Sequence, residues 1–179
     1  MAQKMTEENK KILSDEIDKL YPDSTTNMWD GIFKGLEQLR LNCINPMGIN
    51  ALMVLTDGVP NVEPPMGHEV ALRRYFDKYP TFKCIINFYG FGYSLESKLL
   101  HDLANIGHGD GYSFIPDSTL TGNIFGHGIA NLRTTAVTNL KLGIEFMNGC
   151  QFDLEDACLA HDEFVKTTWG GQITINSMK

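Results

Sequence analysis

The chain has 179 residues, of which 42% are apolar, and its formal net charge is −7. This length and apolar content are enough for one domain with a buried core, with or without a small appendage, and they exclude wholesale disorder. The acidic balance argues against nucleic acid as a partner, because phosphate binding needs clustered Lys and Arg, and no stretch is long and apolar enough to predict a membrane span.

Cysteine usage points to a reducing compartment. The four cysteines are widely scattered and show no CxxC spacing, which disfavours a disulfide framework. The N-terminus also lacks the apolar core of a signal peptide. We therefore expect a cytoplasmic protein, in which Cys84 is buried as a small hydrophobe within an apolar strand.

Helical patterns and apolar runs alternate over the first part of the chain. Residues 6–21, capped by Thr6, and residues 28–42 have the apolar periodicity of helices. The unbroken apolar run 51–55, which ends at Asp57, predicts a strand buried on both faces of a parallel sheet. The apolar stripe predicted for the first helix consists of Leu13, Ile17 and Leu20.

The alternation continues to about residue 132. Residues 68–79 are predicted to be helical, and residues 82–89 form a second buried strand. A helix over 95–106, a short strand over 112–115 and a further helix over about 124–132 follow. Such alternation implies parallel strands joined by right-handed helical crossovers.

After about residue 135 the pattern changes to β. Apolar and polar residues alternate over 139–146, which predicts a half-exposed strand. Two further β segments, 165–169 and 172–175, flank Gly170-Gly171, a two-residue hairpin signal. The C-terminal part is therefore predicted to be a small antiparallel unit.

Polar residues are predicted to meet at the carboxyl edge of the parallel sheet. Thr25, Thr26 and Asn27 immediately precede the second helix, and Asp57 ends the first strand. Open α/β folds bind ligands outside the carboxyl ends of their strands. A hydroxyl and a carboxylate at that edge can hold a hard cation through oxygen.

Taken in order, these features resemble the von Willebrand factor A domain over roughly residues 5–133. The resemblance implies a Rossmann-like three-layer sandwich over residues 1–135, with a short parallel sheet of about three strands, followed by a β-rich extension over 136–179. The pattern is closest to that of the intracellular members of the family. Some of these accompany ubiquitin-ligase modules, so the resemblance implies a protein partner from that pathway. The residues that carry the resemblance are Thr26-Asn27, Leu55-Thr56-Asp57-Gly58, Phe91-Gly92-Tyr93, Leu99-Leu100, Ile106-Gly107, Gly109 and Tyr112–Ile115.

The resemblance also implies a metal site. In this family a divalent cation, usually Mg²⁺, lies above the sheet and takes an acidic ligand from a partner protein. Carried over by position, Thr26 and Asp57 are the metal ligands, Thr25 replaces Thr26 if the register is shifted by one, and Asn27 and Gly58 are supporting positions. The family's Asp-x-Ser-x-Ser motif has no counterpart here. Because Mg²⁺ requires near-octahedral oxygen coordination, we expect weak or absent binding by this chain alone.

The missing motif belongs to the family's opening strand, so three strands of a six-stranded order are predicted to be absent, naturally or by truncation. The strand before Asp57 would then have an open edge, which is a template for another chain. The C-terminal hairpin, a second copy or a separate chain would cover that edge. We expect self-capping or a homodimer.

Other chemistry has weaker support in the sequence. Cys150, Cys158 and His161 fit no common zinc-finger spacing, and His68-Glu69 is not followed by a second His. The sequence therefore predicts a non-catalytic protein-interaction module with an incomplete metal-ion-dependent adhesion site. The alternatives are a small α/β hydrolase or phosphotransfer enzyme that uses Asp57, and an assembly fragment that pairs through its sheet edge.

Overall fold

A computed structural model of the chain describes residues 4–21, 25–42, 48–109, 111–135, 137–145, 147 and 164–178. Within these ranges the chain is a mixed α/β protein, which confirms the predicted class. Its elements in chain order are α1 (Glu7–Ile17), α2 (Met28–Leu41), β1 (Ala51–Thr56), α3 (His68–Lys78), β2 (Ile85–Phe91), α4 (Ser97–Ile106), β3 (Tyr112–Ile115), a 3-10 turn (Ser118–Leu120), α5 (Thr121–Thr134), β4 (Val137–Glu145), β5 (Phe164–Lys166) and β6 (Gly170–Met178).

The first sheet is parallel, as predicted, with strand order β1-β2-β3. Ala51 lies opposite Ile85 at the start of the β1–β2 pair, and Phe88 lies opposite Tyr112 where β3 joins. Each connection between these strands contains a helix, so all three carboxyl ends lie at one edge of the sheet.

The core lies between one face of this sheet and helices α2, α3 and α4. The β2 side chains Ile86 and Phe88 are fully buried there, against Leu36 of α2, Leu72 of α3 and Leu103 of α4. Burying one such side chain contributes about 1.5–3 kcal/mol relative to leaving it exposed. Cys84 belongs to the same cluster, which confirms its predicted burial.

Helix α5 covers the opposite face. Tyr89 follows Phe88 along β2, and successive strand residues point to opposite faces. The Tyr89 ring stacks on Phe125 of α5, with centroids 4.7 Å apart and the planes inclined by 29°. The sheet therefore has helices on both faces, while the finer von Willebrand A architecture stays a prediction.

The prediction that the first strand is buried on both faces is wrong for β1 and fits β2. Six consecutive residues of β2 are buried, whereas β1 has no buried residue and Leu55 is 53% exposed. The reason is position in the sheet, because β2 is the central strand and β1 is an edge strand.

Helix α1 is shorter than predicted, and its apolar stripe does not pack. Thr6 caps the helix by accepting a hydrogen bond from the Asn9 backbone N–H at 3.2 Å, as predicted. However, α1 ends at Ile17 and has no buried residue, and Leu20 lies beyond its end. The predicted stripe is therefore exposed in this structure.

The C-terminal strands form a second, antiparallel sheet with order β4-β6-β5. The predicted hairpin is present between β5 and β6, but its turn precedes the expected glycine pair, because the Thr167 N–H donates to the Gly170 carbonyl at 3.0 Å. Gly170 instead allows close approach to β4, since a side chain there would overlap the Ile144 carbonyl.

These strands pair with one another and not with β1, so the predicted self-capping is wrong for the described residues. The domain boundary at residue 135 stays a prediction. Cys43, Cys150, Cys158 and His161 lie outside the described residues.

Candidate functional site

The start of α2 is joined to the loop that follows Asp57. The Thr26 N–H donates to Asn61 Oδ1 at 2.9 Å, and the N–H groups of Asn61 and Val62 donate to the Thr26 carbonyl at 3.0 and 3.2 Å. The sequence-based expectation that the Thr26 and Asp57 segments lie at one edge of the sheet agrees with these bonds. All three bonds use backbone groups of Thr26, and none of the three involves its hydroxyl.

The other predicted site residues have local structural roles. Asn27 is the N-cap of α2, where its Oδ1 accepts a hydrogen bond from the Asp30 N–H at 3.0 Å. Thr56 Oγ1 donates to the Gly58 carbonyl at 3.1 Å and so fixes the turn around Asp57. Asp57 and Thr25 are exposed, while Thr26 is half-buried.

The described residues contain no group of three or more His, Cys, Asp or Glu side chains placed to hold a metal ion. An adhesion-type site at Thr26 and Asp57, with Mg²⁺ bound there, stays a prediction. Two protein ligands leave most of an octahedral shell to water or to a partner's carboxylate.

A groove of about 340 Å³ follows the free side of β1. One wall is the start of α2, including Met28 and Ile32, and the other is β1 from Leu52 to Thr56. Among the described residues, β2 is the strand that pairs with β1. We call this feature the edge groove.

A second cleft of about 320 Å³ lies where the β1–α3 loop meets the start of α4, at the carboxyl edge of the sheet. Three exposed carboxylates line it, from Glu63, Glu69 and Glu96. His68 also lines it and is only 3% exposed. We call this feature the acidic cleft.

His68 is held at the first position of α3 by the preceding turn. Gly67 has a φ of 78°, a left-handed conformation that glycine adopts without strain. Within the described part of the chain, the buried His68 Nε2 has no hydrogen-bond partner. Burial lowers the pKa of His68, and the nearby Glu63 and Glu96 carboxylates oppose that effect. The imidazole is therefore neutral near pH 7.

Sequence reasoning missed the acidic cleft. In the sequence, His68-Glu69 suggests only an incomplete metalloprotease motif. Neither Glu63 nor Glu96 belongs to a recognisable motif. These residues come from two separate loops that the parallel sheet brings together. Spacing along the chain contains no signal for such a cluster.

A charged network holds α3 against α2. Arg40 donates from Nε and Nη2 to the two Glu37 carboxylate oxygens at 2.9 and 2.7 Å, and the Tyr75 hydroxyl donates to Glu37 Oε1 at 2.7 Å. Hydrogen bonds from Arg40 and Tyr75 lower the pKa of Glu37 to about 2. The network therefore joins α2 to α3, the helix that begins at His68.

A third cleft, of about 450 Å³, lies between α5 and the sheet. Polar side chains from both walls line it, and most of them are neutral amides or hydroxyls. They are Asn87, Tyr89, Ser113, Asn123, His127 and Asn131.

Comparison of the chain with protein-family models, curated proteins and solved structures gives no match. Across the described part of the chain, every helix is too short or too polar to cross a membrane. The functional proposal below therefore depends on the geometry of this chain and on the sequence resemblance.

Proposed function

We propose that this chain is a non-catalytic protein-interaction domain of the von Willebrand A type, which binds a second polypeptide along the open edge of β1. The observation that carries the proposal is the edge position of an uncharged strand, apolar from Ala51 to Leu55, beside a groove. The proposal includes a remnant adhesion site at Thr26 and Asp57. It also includes a cytoplasmic location, which the scattered cysteines favour, and a ubiquitin-pathway partner, which the resemblance implies.

The open edge supports this function because exposed strand edges are templates for another strand. Natural edge strands are commonly protected by charged residues, proline or bulges. The sequence of β1, Ala-Leu-Met-Val-Leu-Thr, contains neither a charge nor a proline. An added strand gains main-chain hydrogen bonds along β1 and places its side chains in the edge groove.

The sequence of β1 fits a second copy of the same chain. In an antiparallel pair with its two-fold axis at Met53, Met53 faces Met53 of the second copy. Leu52 then faces Val54 of the second copy, and Ala51 faces Leu55. All these pairs are apolar, and no like charges oppose one another.

Sedimentation velocity of the purified chain between about 1 and 200 µM tests the proposal. We expect reversible association that Leu55→Lys weakens by at least about tenfold, because an edge lysine opposes strand addition. Ile129→Lys on α5 is the matched control, since Ile129 is 49% exposed and lies away from the edge groove. It should associate like the wild type. A monomer at every concentration, or equal weakening by both variants, would contradict the proposal.

A further inference from the structure

The acidic cleft has the chemistry of a site for an organic cation. Its described polar lining consists of the carboxylates of Glu63, Glu69 and Glu96 and the imidazole of His68. Ionised carboxylates accept hydrogen bonds and donate none, and a neutral imidazole has one acceptor nitrogen. A ligand that brings several N–H donors and a positive charge satisfies all of these groups.

His68 Nε2 is the observation that indicates a ligand. Among the described residues this atom has no hydrogen-bond partner. Buried polar atoms in that state are destabilising and therefore rare in folded proteins unless something binds them. His68 lines the cleft together with Glu63 and Glu96. A ligand held between these two carboxylates therefore occupies the same cleft as the imidazole.

The dimensions favour a side chain over a bare metal ion. Zinc ligands must converge to within about 2.0–2.2 Å of the ion. The described residues bring no three ligating side chains together in this way. A volume of about 320 Å³ instead accommodates an extended side chain. Met66 and Leu99 provide apolar wall for the methylene stem of such a side chain.

We propose that the acidic cleft receives an arginine side chain of a partner protein, whose guanidinium pairs with Glu63 and Glu96 while His68 Nε2 accepts one of its N–H groups. Guanidinium presents five donors in a planar fork that suits several acceptors at once, whereas the lysine ammonium is a compact point charge. This inference rests on the proposed function, because it identifies a recognition element of the protein partner.

NMR of the histidine rings tests the inference directly, because the chain has five histidines and His68→Gln identifies the relevant signals. The probe is the capped tripeptide Leu-Arg-Leu, and its citrulline analogue, which has the same shape without the charge, is the ligand control. We expect the arginine peptide to shift the His68 ring signals saturably. The citrulline peptide should leave them unchanged. Free L-arginine should bind more weakly than the peptide because it lacks the flanking apolar contacts.

Glu63→Gln combined with Glu96→Gln should weaken binding of the arginine peptide by at least about tenfold. Glu7→Gln combined with Glu8→Gln removes the same charge from α1, outside the cleft, and should bind like the wild type. No saturable shift, equal binding of the citrulline peptide, or Zn²⁺ occupying the His68 ring in place of the peptide would overturn the inference. Leu55→Lys changes the edge groove, whereas the glutamine variants change the acidic cleft, and the two share no lining residue. Failure of the arginine test therefore leaves the edge proposal standing, and failure of the edge test leaves this inference standing.

Discussion

Thr26 contributes to the structure chiefly through its backbone. Its N–H and carbonyl make three hydrogen bonds with Asn61 and Val62, which fix the start of α2 against the loop after β1. Those bonds would persist if the Thr26 hydroxyl were removed. The hydroxyl and the exposed Asp57 carboxylate are thus available for a partner or an ion without supporting the fold.

Metal binding at this pair is expected to be weak. At a free Mg²⁺ concentration equal to the dissociation constant, a ligand stabilises the fold by about 0.4 kcal/mol. We therefore predict that millimolar Mg²⁺ raises the unfolding midpoint by no more than about 1 °C in differential scanning fluorimetry. Asp57→Ala should abolish that shift, while Asp77→Ala, an exposed carboxylate on α3, should retain it. A shift of several degrees that Asp57→Ala removes would mean that other oxygen ligands complete the site.

Residue-level roles were predictable from the sequence where they depend on neighbours along the chain. The Thr6 cap and the burial of Cys84 in an apolar run both follow from local pattern. The lack of a hydrogen-bond partner for His68 Nε2 within the described residues does not follow from local pattern. The residues around it come from the β1–α3 loop and the start of α4. The predicted position of the turn between β5 and β6 is wrong for a similar reason. Gly170 is needed for its close contact with β4, and the local sequence does not reveal that contact.

Among the elements, α5 shows how contact geometry decides the effect of a substitution. A methyl group on Gly128 would overlap the Tyr89 hydroxyl, and Tyr89 is buried and stacked on Phe125. A methyl group on Gly126, in the same helix, would meet no atom within 4 Å. The two glycines therefore form a matched pair.

We predict opposite effects on stability at these two positions. Gly128→Ala should lower the free energy of unfolding by about 1–3 kcal/mol, because the Tyr89–Phe125 stack must shift. Gly126→Ala should raise it by about 0.5–1 kcal/mol, because alanine favours the helix. Urea denaturation of both variants measures the two changes. Stabilisation by Gly128→Ala would mean that α5 does not pack on Tyr89 as described.

The positions of the helices and strands along the chain were predicted more reliably than their burial. The alternation of helices and apolar runs placed β1, β2 and β3 within a few residues of their observed bounds. The same apolar run could not distinguish an edge strand from a central one, so β1 was expected to be buried like β2. For α1, a helical stripe indicates only a surface able to pack, and Ile12, Leu13 and Ile17 are exposed.

On the scale of the whole molecule, the parallel sheet has helices on both faces and β1 as an edge strand. Helices α2 to α4 and α5 cover its two faces, while the outer edge of β1 lies beside the edge groove. The acidic cleft and the Thr26–Asn61 connection lie at the carboxyl end of the same strand. The proposed binding surfaces therefore surround β1, and a partner on the edge of β1 can also reach the acidic cleft.

Hydrogen exchange measured at low and high protein concentration tests the central claim most directly, because it locates any new backbone pairing. We predict that amides in residues 51–56 exchange at least about tenfold more slowly at about 200 µM than at about 2 µM, when strand addition protects them. Residues 112–115 in β3, the opposite edge of the sheet, should exchange at the same rate at both concentrations. Exchange in β1 that does not depend on concentration would contradict pairing through this edge.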